Sequence, residues 1–177
     1  MYYDHEGNMV AAGAEAQLPE KQEEAEEEGW QRVEWFKLRL RPRTMPSKLR
    51  NAALPSLPGE KTVQDLFADF FRYLNSCAET FIKDSHLTVA RSWEELRKSV
   101  TYVIAHPNGW EGPQQTKLRR AAIGAGLVPD TQEGRTRVVF VSEGEASLHY
   151  CIKGGFIDDV RALLRFSPSQ SSDKITV

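Results

Sequence analysis

The sequence predicts an α/β fold that combines one long amphipathic helix with a strand–helix–strand unit. Apolar side chains recur every three or four residues between Val63 and Ile82, a spacing that places them on one face of a helix. Two runs rich in β-branched residues, 102–105 and 137–141, enclose a second helical pattern. Two buried strands joined through a helix are typical of a right-handed parallel crossover, the βαβ unit.

The long helix is predicted to begin at Thr62. The Thr62 hydroxyl can accept an amide hydrogen from the first turn, and Asp65 stands three residues later, as in a capping box. Because an apolar helix face is stabilised by being covered, we expect this face to be buried along its whole length. The face consists of Val63, Leu66, Phe67, Phe70, Phe71, Leu74, Ala78, Phe81 and Ile82.

The strand–helix–strand unit is bounded by residues that end regular structure. Pro107, Asn108 and Gly109 end the first strand. A helix is predicted over 113–125, because proline is tolerated in a first turn and Gly126 can end the last one. The buried face of this helix is predicted to contain Leu118, Ala121, Ala122 and Ala125.

Other parts of the chain have weaker patterns. Residues 2–11 predict a short hairpin that turns at Gly7, and residues 20–28 predict either a solvated acidic helix or a mobile connection. Repeated prolines predict a loop over 42–60, whereas 153–177 predict a short helix and a polar tail. An apolar cluster is expected from Trp30, Val33, Trp35, Phe36, Leu38 and Leu40.

The composition suits a globular chain of about one domain. The 177 residues are 40% hydrophobic and have a formal net charge of −2, so nucleic acid and anionic membranes are not favoured as partners. Cys77 and Cys151 are too few for a disulfide framework. The polar start and the lack of a long apolar run predict a cytoplasmic or nuclear protein.

The sequence contains no complete set of catalytic residues. It has no Gly-rich phosphate loop with a lysine, no nucleophile elbow and no HExxH pair. His106 stands at a predicted strand end without a nearby partner in sequence, and we interpret it as structural. His149 and Cys151 point to different faces of a predicted helix and are interpreted as packing residues.

The middle of the chain resembles the heat-shock-seventy family. Within the stretch 103–127, the residues that match in register are Pro107, Trp110, Gln114 and the triplet Ala125-Gly126-Leu127. The family has a strand ending in Val-Pro-Ala, an aromatic residue, a Gln-Arg pair and an alanine-rich helix closed by Ala-Gly-Leu. Residues 141–147 are similar to its Asn-Glu-Pro-Thr-Ala-Ala segment, with Glu143 at the acidic position and Gly144 in place of proline.

Two upstream segments extend the resemblance to about residues 2–152. Residues 2–16 resemble the small strand pair of the lobe-I insertion, and 34–39 resemble its Lys-Arg-Leu segment. The residues at 107–112 and 142–147 are more similar to those of a divergent eukaryotic branch of actin-like ATPases than to those of the housekeeping chaperones. The resemblance implies a partial actin-like, ribonuclease-H-like ATPase lobe over 1–152. Its implied parts are an inserted hairpin and helix (1–41), the proline-rich loop (42–60) and a helix–strand–helix–strand core (61–152).

The resemblance also implies roles for three residues. In the family, the lysine reaches the transferring phosphate and stabilises charge in the transition state, while the acidic residue holds waters bound to magnesium. Lys37 and Glu143 match those positions, and Pro107 matches the hinge proline. A full-length form would accordingly bind ATP and magnesium between two lobes. Its protein clients are unknown.

The family's two phosphate-binding hairpins do not occur in the 177 residues. They have the forms Asp-x-Gly-Thr and Asp-x-Gly-Gly-Gly-Thr, and they bind phosphate through backbone amides. The resemblance therefore implies a truncated nucleotide-binding domain of a molecular chaperone ATPase that binds no nucleotide tightly and does not hydrolyse ATP. The alternative is a non-catalytic interaction module whose helices bind a protein partner. An intact small enzyme is disfavoured, since no motif supports it.

Overall fold

A computed structural model describes residues 1–42 and 54–153 of the chain. They have a mixed α/β architecture, as the sequence predicts. Part of the predicted loop over 42–60, and the helix and tail predicted after Lys153, lie outside the described residues. The helices and strands are β1 (Tyr2–Tyr3), β2 (Met9–Ala11), a 3-10 helix (Glu15–Gln17), α1 (Pro19–Glu27), β3 (Gln31–Arg32), a second 3-10 helix (Phe36–Leu40), α2 (Val63–Ser85), α3 (Leu87–Arg91), α4 (Trp93–Leu96), β4 (Tyr102–His106), α5 (Pro113–Gly124), α6 (Gln132–Thr136), β5 (Val138–Ser142) and α7 (Glu143–Lys153).

The chain divides into two compact units. The first comprises Met1–Ile104 and Gly109–Phe140, and the second comprises Ala105–Asn108 and Val141–Val177. Helices α2 and α5 and the N-terminal strands belong to the first unit, and helix α7 belongs to the second.

The N-terminal strands form an antiparallel sheet in the order β2-β1-β3. The predicted hairpin is confirmed, and its turn includes Gly7 at a φ of 82°, a conformation that glycine adopts without strain. The Asp4 carboxylate accepts hydrogen bonds from the amides of Asn8 and Glu6, and these bonds hold the pKa of Asp4 below its usual range. Strand β3 was not predicted, because a two-residue strand is too short to have a pattern.

Helix α2 begins where the sequence predicts. The Thr62 hydroxyl accepts the Asp65 amide hydrogen, and the Asp65 carboxylate accepts the Thr62 amide hydrogen in return. The first half of its apolar face is covered, since Leu66 and Phe67 are buried. The prediction that the whole face is buried is wrong for the second half, where Leu74 is 45% exposed and Phe81 is 67% exposed.

The predicted strand–helix–strand unit is present. Strands β4 and β5 pair with each other, and α5 ends at Gly124 with Gly126 at a φ of 77°. A side chain at position 124 would lie 3.6 Å from the Ala68 Cβ of α2. The small residues Ala68 and Gly124 therefore let α2 and α5 pack closely.

The main core of the first unit lies where α2, α5 and the second 3-10 helix meet. It continues onto β4 and β5 through a second cluster. The buried residues of these two clusters are Leu40, Phe67, Ala68, Trp110, Leu118, Ala121, Ala122, Val128 and Val138. The predicted buried face of α5 is thus confirmed for Leu118, Ala121 and Ala122, whereas Ala125 is only half-buried.

Two further expectations are settled by the structure. The acidic segment forms helix α1, whose Ala25 packs against Tyr2 of β1, so the helical alternative is correct. The predicted apolar cluster is wrong for Trp35, which is 66% exposed. Trp35 precedes the second 3-10 helix in a left-handed conformation, with a φ of 55°, which turns its side chain away from the clusters that bury Val33 and Leu40.

Candidate functional site

Lys37 lies in the second 3-10 helix, which is held at both ends of its five residues. Phe36 packs edge-on against Phe67 with a ring separation of 4.9 Å, and Leu40 is buried in the main core. The Arg39 guanidinium donates hydrogen bonds to the carbonyls of Leu54 and Pro55. Lys37 itself is exposed. A rigid turn therefore presents a lysine at the surface of the first unit.

Glu143 is the first residue of α7, immediately after β5, in the second unit. The first turn of α7 is stabilised by two side chains. The Ser142 hydroxyl accepts the Glu145 amide hydrogen at 3.1 Å, and the Asn108 side-chain oxygen accepts the Gly144 amide hydrogen at 3.2 Å. These bonds satisfy amides that a helix leaves unpaired at its start. Glu143 is exposed and stands on a fixed backbone.

Pro107 lies in the same unit, in the turn that follows β4. Since Asn108 binds the amide of Gly144, the structure brings the Pro107–Asn108 turn next to the first turn of α7. The hinge role of Pro107 stays a prediction. Lys37 belongs to the first unit.

The two histidines singled out in the sequence have different environments. His106 is buried, and its Nδ1 donates a hydrogen bond to the Pro107 carbonyl at 2.9 Å. Its interpretation as a structural residue stays a prediction, with which its burial agrees. His149 is wrongly interpreted as a packing residue, because its side chain is exposed on α7, 4.0 Å from the Glu145 carboxylate.

A buried carboxylate, Asp69 of α2, was not identified from the sequence. It accepts hydrogen bonds from the Tyr3 hydroxyl at 3.1 Å, the Lys61 ammonium at 2.9 Å and the Arg72 guanidinium at 2.8 Å. Burial raises the pKa of Tyr3 well above its usual range, and the negative charge of Asp69 adds to the increase. A carboxylate between Ala68 and Phe70, on a helix rich in apolar residues, was the sequence signal for this cluster.

Arg119 of α5 carries a second buried polar group that the sequence did not identify. Its guanidinium carbon lies 4.9 Å from the centre of the Phe140 ring, and one terminal nitrogen donates to the Val138 carbonyl at 3.3 Å. Its Nε atom is buried without a hydrogen-bond partner among the described residues. These contacts fasten α5 to β5, so we assign Arg119 a structural role.

The described residues contain no group of three or more His, Cys, Asp or Glu side chains that could hold a metal ion. Within residues 1–42 and 54–153, no helix is long and apolar enough to cross a membrane. Comparison of the chain with protein-family models, with curated proteins and with solved structures gave no match. The family resemblance therefore rests on the sequence.

Proposed function

We propose that the chain carries part of lobe I of a heat-shock-seventy-like, actin-fold nucleotide-binding domain and does not hydrolyse ATP by itself. The observation that supports this proposal is the order of elements over the resembling residues. Strand β4 ends at His106, α5 ends just before Ala125-Gly126, and Glu143 follows β5 directly. This order agrees with the strand, helix and strand-end acid that the resemblance implies.

The residues present do not make a tight site for ATP and magnesium. Phosphate groups are held in proteins by loops of backbone amides, and neither phosphate hairpin occurs in the sequence. Lys37 and Glu143 are exposed on rigid backbone, as the implied roles require, but one cation and one carboxylate cannot replace the missing amides. We therefore derive no reaction step for this chain.

Calorimetric titration of the chain with magnesium-ATP tests the absence of tight binding. We expect no saturable heat in the micromolar range, because the amides that would cradle the phosphates are not encoded. An intact heat-shock-seventy nucleotide-binding domain, titrated in the same buffer, is the positive control. A saturable heat from the chain alone would show that a phosphate site exists and that the proposal is wrong on this point.

A chimeric protein tests the family proposal itself. Residues 2–152 would replace the matching part of a heat-shock-seventy nucleotide-binding domain, so that both phosphate hairpins are supplied. Lys37→Ala and Glu143→Ala should each lower kcat by about 100-fold or more, with little change in nucleotide affinity, because their charges matter most in the transition state. Lys117→Ala, another exposed lysine, is the matched control. Equal turnover of mutants and parent would refute the assigned roles.

A second candidate function is a non-catalytic module that binds another protein. It is favoured by the second half of α2, where apolar side chains lie at the surface. Large exposed apolar surfaces on soluble proteins are typical of interaction sites. This candidate requires no nucleotide chemistry and is tested through the surface itself.

A further inference from the structure

The second half of α2 presents an apolar surface that the nucleotide proposal does not use. We call the side chains of Leu74, Cys77, Ala78 and Phe81 the α2 stripe. They follow the three- and four-residue spacing of one helix face, and all four are exposed. Phe81 is 67% exposed and Leu74 is 45% exposed. Among the described residues, none buries this stripe.

The stripe is part of a rigid helix. Helix α2 continues to Ser85, and its end is closed by the His86 amide, which donates to the Ile82 carbonyl at 2.9 Å. Asn75 accepts a hydrogen bond from the Tyr102 hydroxyl at 3.0 Å, which fixes the rotation of the helix against β4. Phe81 is therefore held outward on an ordered backbone.

One long edge of the stripe has a carboxylate at each end, Glu15 and Asp84, and we call these two residues the acidic edge. Asp84 stands three residues after Phe81 and is exposed. Glu15 is exposed and follows Gly13 by two residues, and a Cβ at Gly13 would lie 2.9 Å from the hydroxyl of Tyr73, one turn before Cys77. Burial and the neighbouring Cys77 raise the pKa of Tyr73, and the negative charge of Glu15 adds to the increase.

The helix itself adds to the negative potential beside Phe81. The last turn of an α-helix carries a partial negative charge from its aligned peptide dipoles, and Asp84 lies in the last turn of α2. The basic residue of that turn, Lys83, is on the opposite side of the helix, where its ammonium donates a hydrogen bond to Glu79 at 2.6 Å. The hydrogen bond from Lys83 holds the pKa of Glu79 below its usual range, so these two charges compensate each other.

We propose that the α2 stripe binds an amphipathic helix of a partner protein whose apolar face is flanked by lysine or arginine. This inference rests on the second candidate function and is independent of the nucleotide proposal. Apolar residues at i, i+3, i+4 and i+7 are the usual anchors between a helix and a helical groove or face, and the residues of the stripe, from Leu74 to Phe81, have that spacing. Basic side chains on the partner would pair with Glu15 and Asp84.

A second copy of the chain fits the stripe less well. If two α2 helices packed stripe to stripe in antiparallel order, their acidic edges would lie on the same side, and Asp84 of one copy would approach Glu15 of the other. In a parallel pair, the acidic edge of each copy would face the opposite edge of the other, where Ile82 and Ser85 offer no positive charge. Like charges across an interface are unfavourable, whereas a basic partner helix gains attraction from the same carboxylates. The stripe spans about 10 Å of helix at 1.5 Å per residue, so we expect micromolar affinity that falls with added salt.

Fluorescence anisotropy tests the proposal with the 177-residue chain and labelled model peptides. The probe is a helical peptide of about 18 residues made of leucine and lysine, with leucine at i, i+3, i+4 and i+7, and its counterpart has glutamate in place of lysine. We expect saturable binding of the lysine peptide and binding of the glutamate peptide that is about three- to tenfold weaker. Phe81→Ser and Leu74→Ser should each weaken binding of the lysine peptide by about tenfold.

The acidic edge is tested by reversing one of its charges. Asp84→Lys should weaken binding of the lysine peptide by about three- to tenfold at low salt, and it should strengthen binding of the glutamate peptide. Glu26→Lys is the matched control, because it changes the net charge by the same amount at an exposed position of α1. It should leave the preference between the two peptides as in the parent chain.

The location of the surface is tested by a change of equal exposure elsewhere. Val103→Ser is the matched control for Phe81→Ser, because Val103 is 65% exposed but lies on β4, and it should leave the affinity unchanged. Circular dichroism would show whether each variant is folded. If Phe81→Ser does not fold, the affinity of Leu74→Ser tests the location of the surface instead.

The outcomes separate the partner chemistry from the interaction function. If the glutamate peptide binds better and still depends on Phe81, the surface is an interaction site but the basic partner is wrong. If Val103→Ser weakens binding as much as Phe81→Ser, or if the chain self-associates in a Phe81-dependent way, the proposed surface or occupant is overturned. If neither peptide binds, both this inference and the second candidate function are wrong.

Discussion

At the scale of single residues, Asp69 connects parts of the first unit that are distant in sequence. Its carboxylate joins Tyr3 of β1, Lys61 of the segment before α2 and Arg72 of α2. Arg72 in turn donates to the Gly124 carbonyl at the end of α5 at 3.0 Å. One side chain, 9% exposed, therefore links the N-terminal sheet to the helical layer of the first unit.

Asp69→Asn should lower the free energy of unfolding by about 2 kcal/mol, because it leaves buried hydrogen-bond donors without their charged acceptor. Urea unfolding followed by circular dichroism would measure the loss. Glu95→Gln is the control: it removes an ion pair with Lys98 whose side chains are both largely exposed, so the loss should stay below about 0.5 kcal/mol. Equal losses in the two variants would contradict the linking role of Asp69.

Tyr3→Phe tests the same cluster by removing the hydroxyl that donates a hydrogen bond to Asp69. The folded state favours the neutral hydroxyl, since burial and Asp69 raise the pKa of Tyr3. The stabilisation of the folded state by the neutral Tyr3 hydroxyl is fully present below the ordinary tyrosine pKa of about 10. It is lost as the pH rises above that value, because Tyr3 then ionises in the unfolded chain but not in the folded one. The variant should lose about 1 kcal/mol at neutral pH and show a flatter alkaline decline of stability. An unchanged alkaline decline would show that Tyr3 does not titrate in this way.

At the scale of elements, the start of α2 is the feature that the sequence predicts best. Thr62→Ala should cost about 1 kcal/mol, because it removes the acceptor for an amide of the first turn. Hydrogen bonds from the Thr62 hydroxyl and amide hold the pKa of Asp65 below its usual range. The stabilisation by Asp65 is thus present above about pH 4 and is lost as the pH falls through the lowered pKa.

Asp65→Asn should consequently flatten the decline of stability below about pH 4, which urea unfolding at a series of pH values would show. Asp130→Asn is a suitable comparison, because Asp130 pairs with Arg135 at the surface, away from the capping box of α2. A decline that is as steep in Asp65→Asn as in the parent would contradict the capping-box explanation.

The sequence predicted several elements because their signals are local. Caps, glycine stops and apolar spacing act within a few residues, and these define α2, α5, β4 and β5. The exposure of Phe81 was not predictable, because spacing shows which residues share a helix face but not how far the covering layer extends. The Asp69 cluster was missed for a related reason: Tyr3 and Asp69 are 66 positions apart, and no local pattern reports such a contact.

The candidate site was only partly accessible from the sequence. Lys37 and Glu143 came from the family resemblance and not from their spacing. The structure adds that both stand at fixed backbone positions, on the second 3-10 helix and at the start of α7. The cap of α7 has the Ser-x-x-Glu pattern from Ser142 to Glu145, a signal from which the start of this helix could have been predicted.

At the scale of the whole molecule, the sheet formed by β4 and β5 has exposed apolar side chains and, among the described residues, only one pairing for each strand. In the described residues each of these strands has one hydrogen-bonded neighbour, which leaves a strand edge open to other chains. One face of the sheet packs on the core through Ile104 and Phe140. The other presents Val103 at 65% exposure and Val139 at 43%.

Such a sheet should associate with other apolar surfaces. We expect the purified chain to bind a hydrophobic dye and to scatter light increasingly with concentration, and Val103→Lys to reduce both signals, because a charge on an exposed strand opposes edge pairing. Ser99→Lys, an exposed position just before β4, is the control for added charge. A parent chain that stays monomeric at high concentration, with no dye bound, would contradict this expectation.

The bond between Asn108 and Gly144 has a consequence for the sequences of relatives. Asn108 accepts the backbone hydrogen of residue 144, and proline, the residue found at that position in the resembled family, has no such hydrogen. A relative with proline at 144 would gain nothing from asparagine at 108, whereas one with glycine there would. The two positions should therefore vary together during evolution, with asparagine at 108 accompanying glycine at 144, because a Cβ at 144 would lie 3.0 Å from the Asn108 side-chain nitrogen.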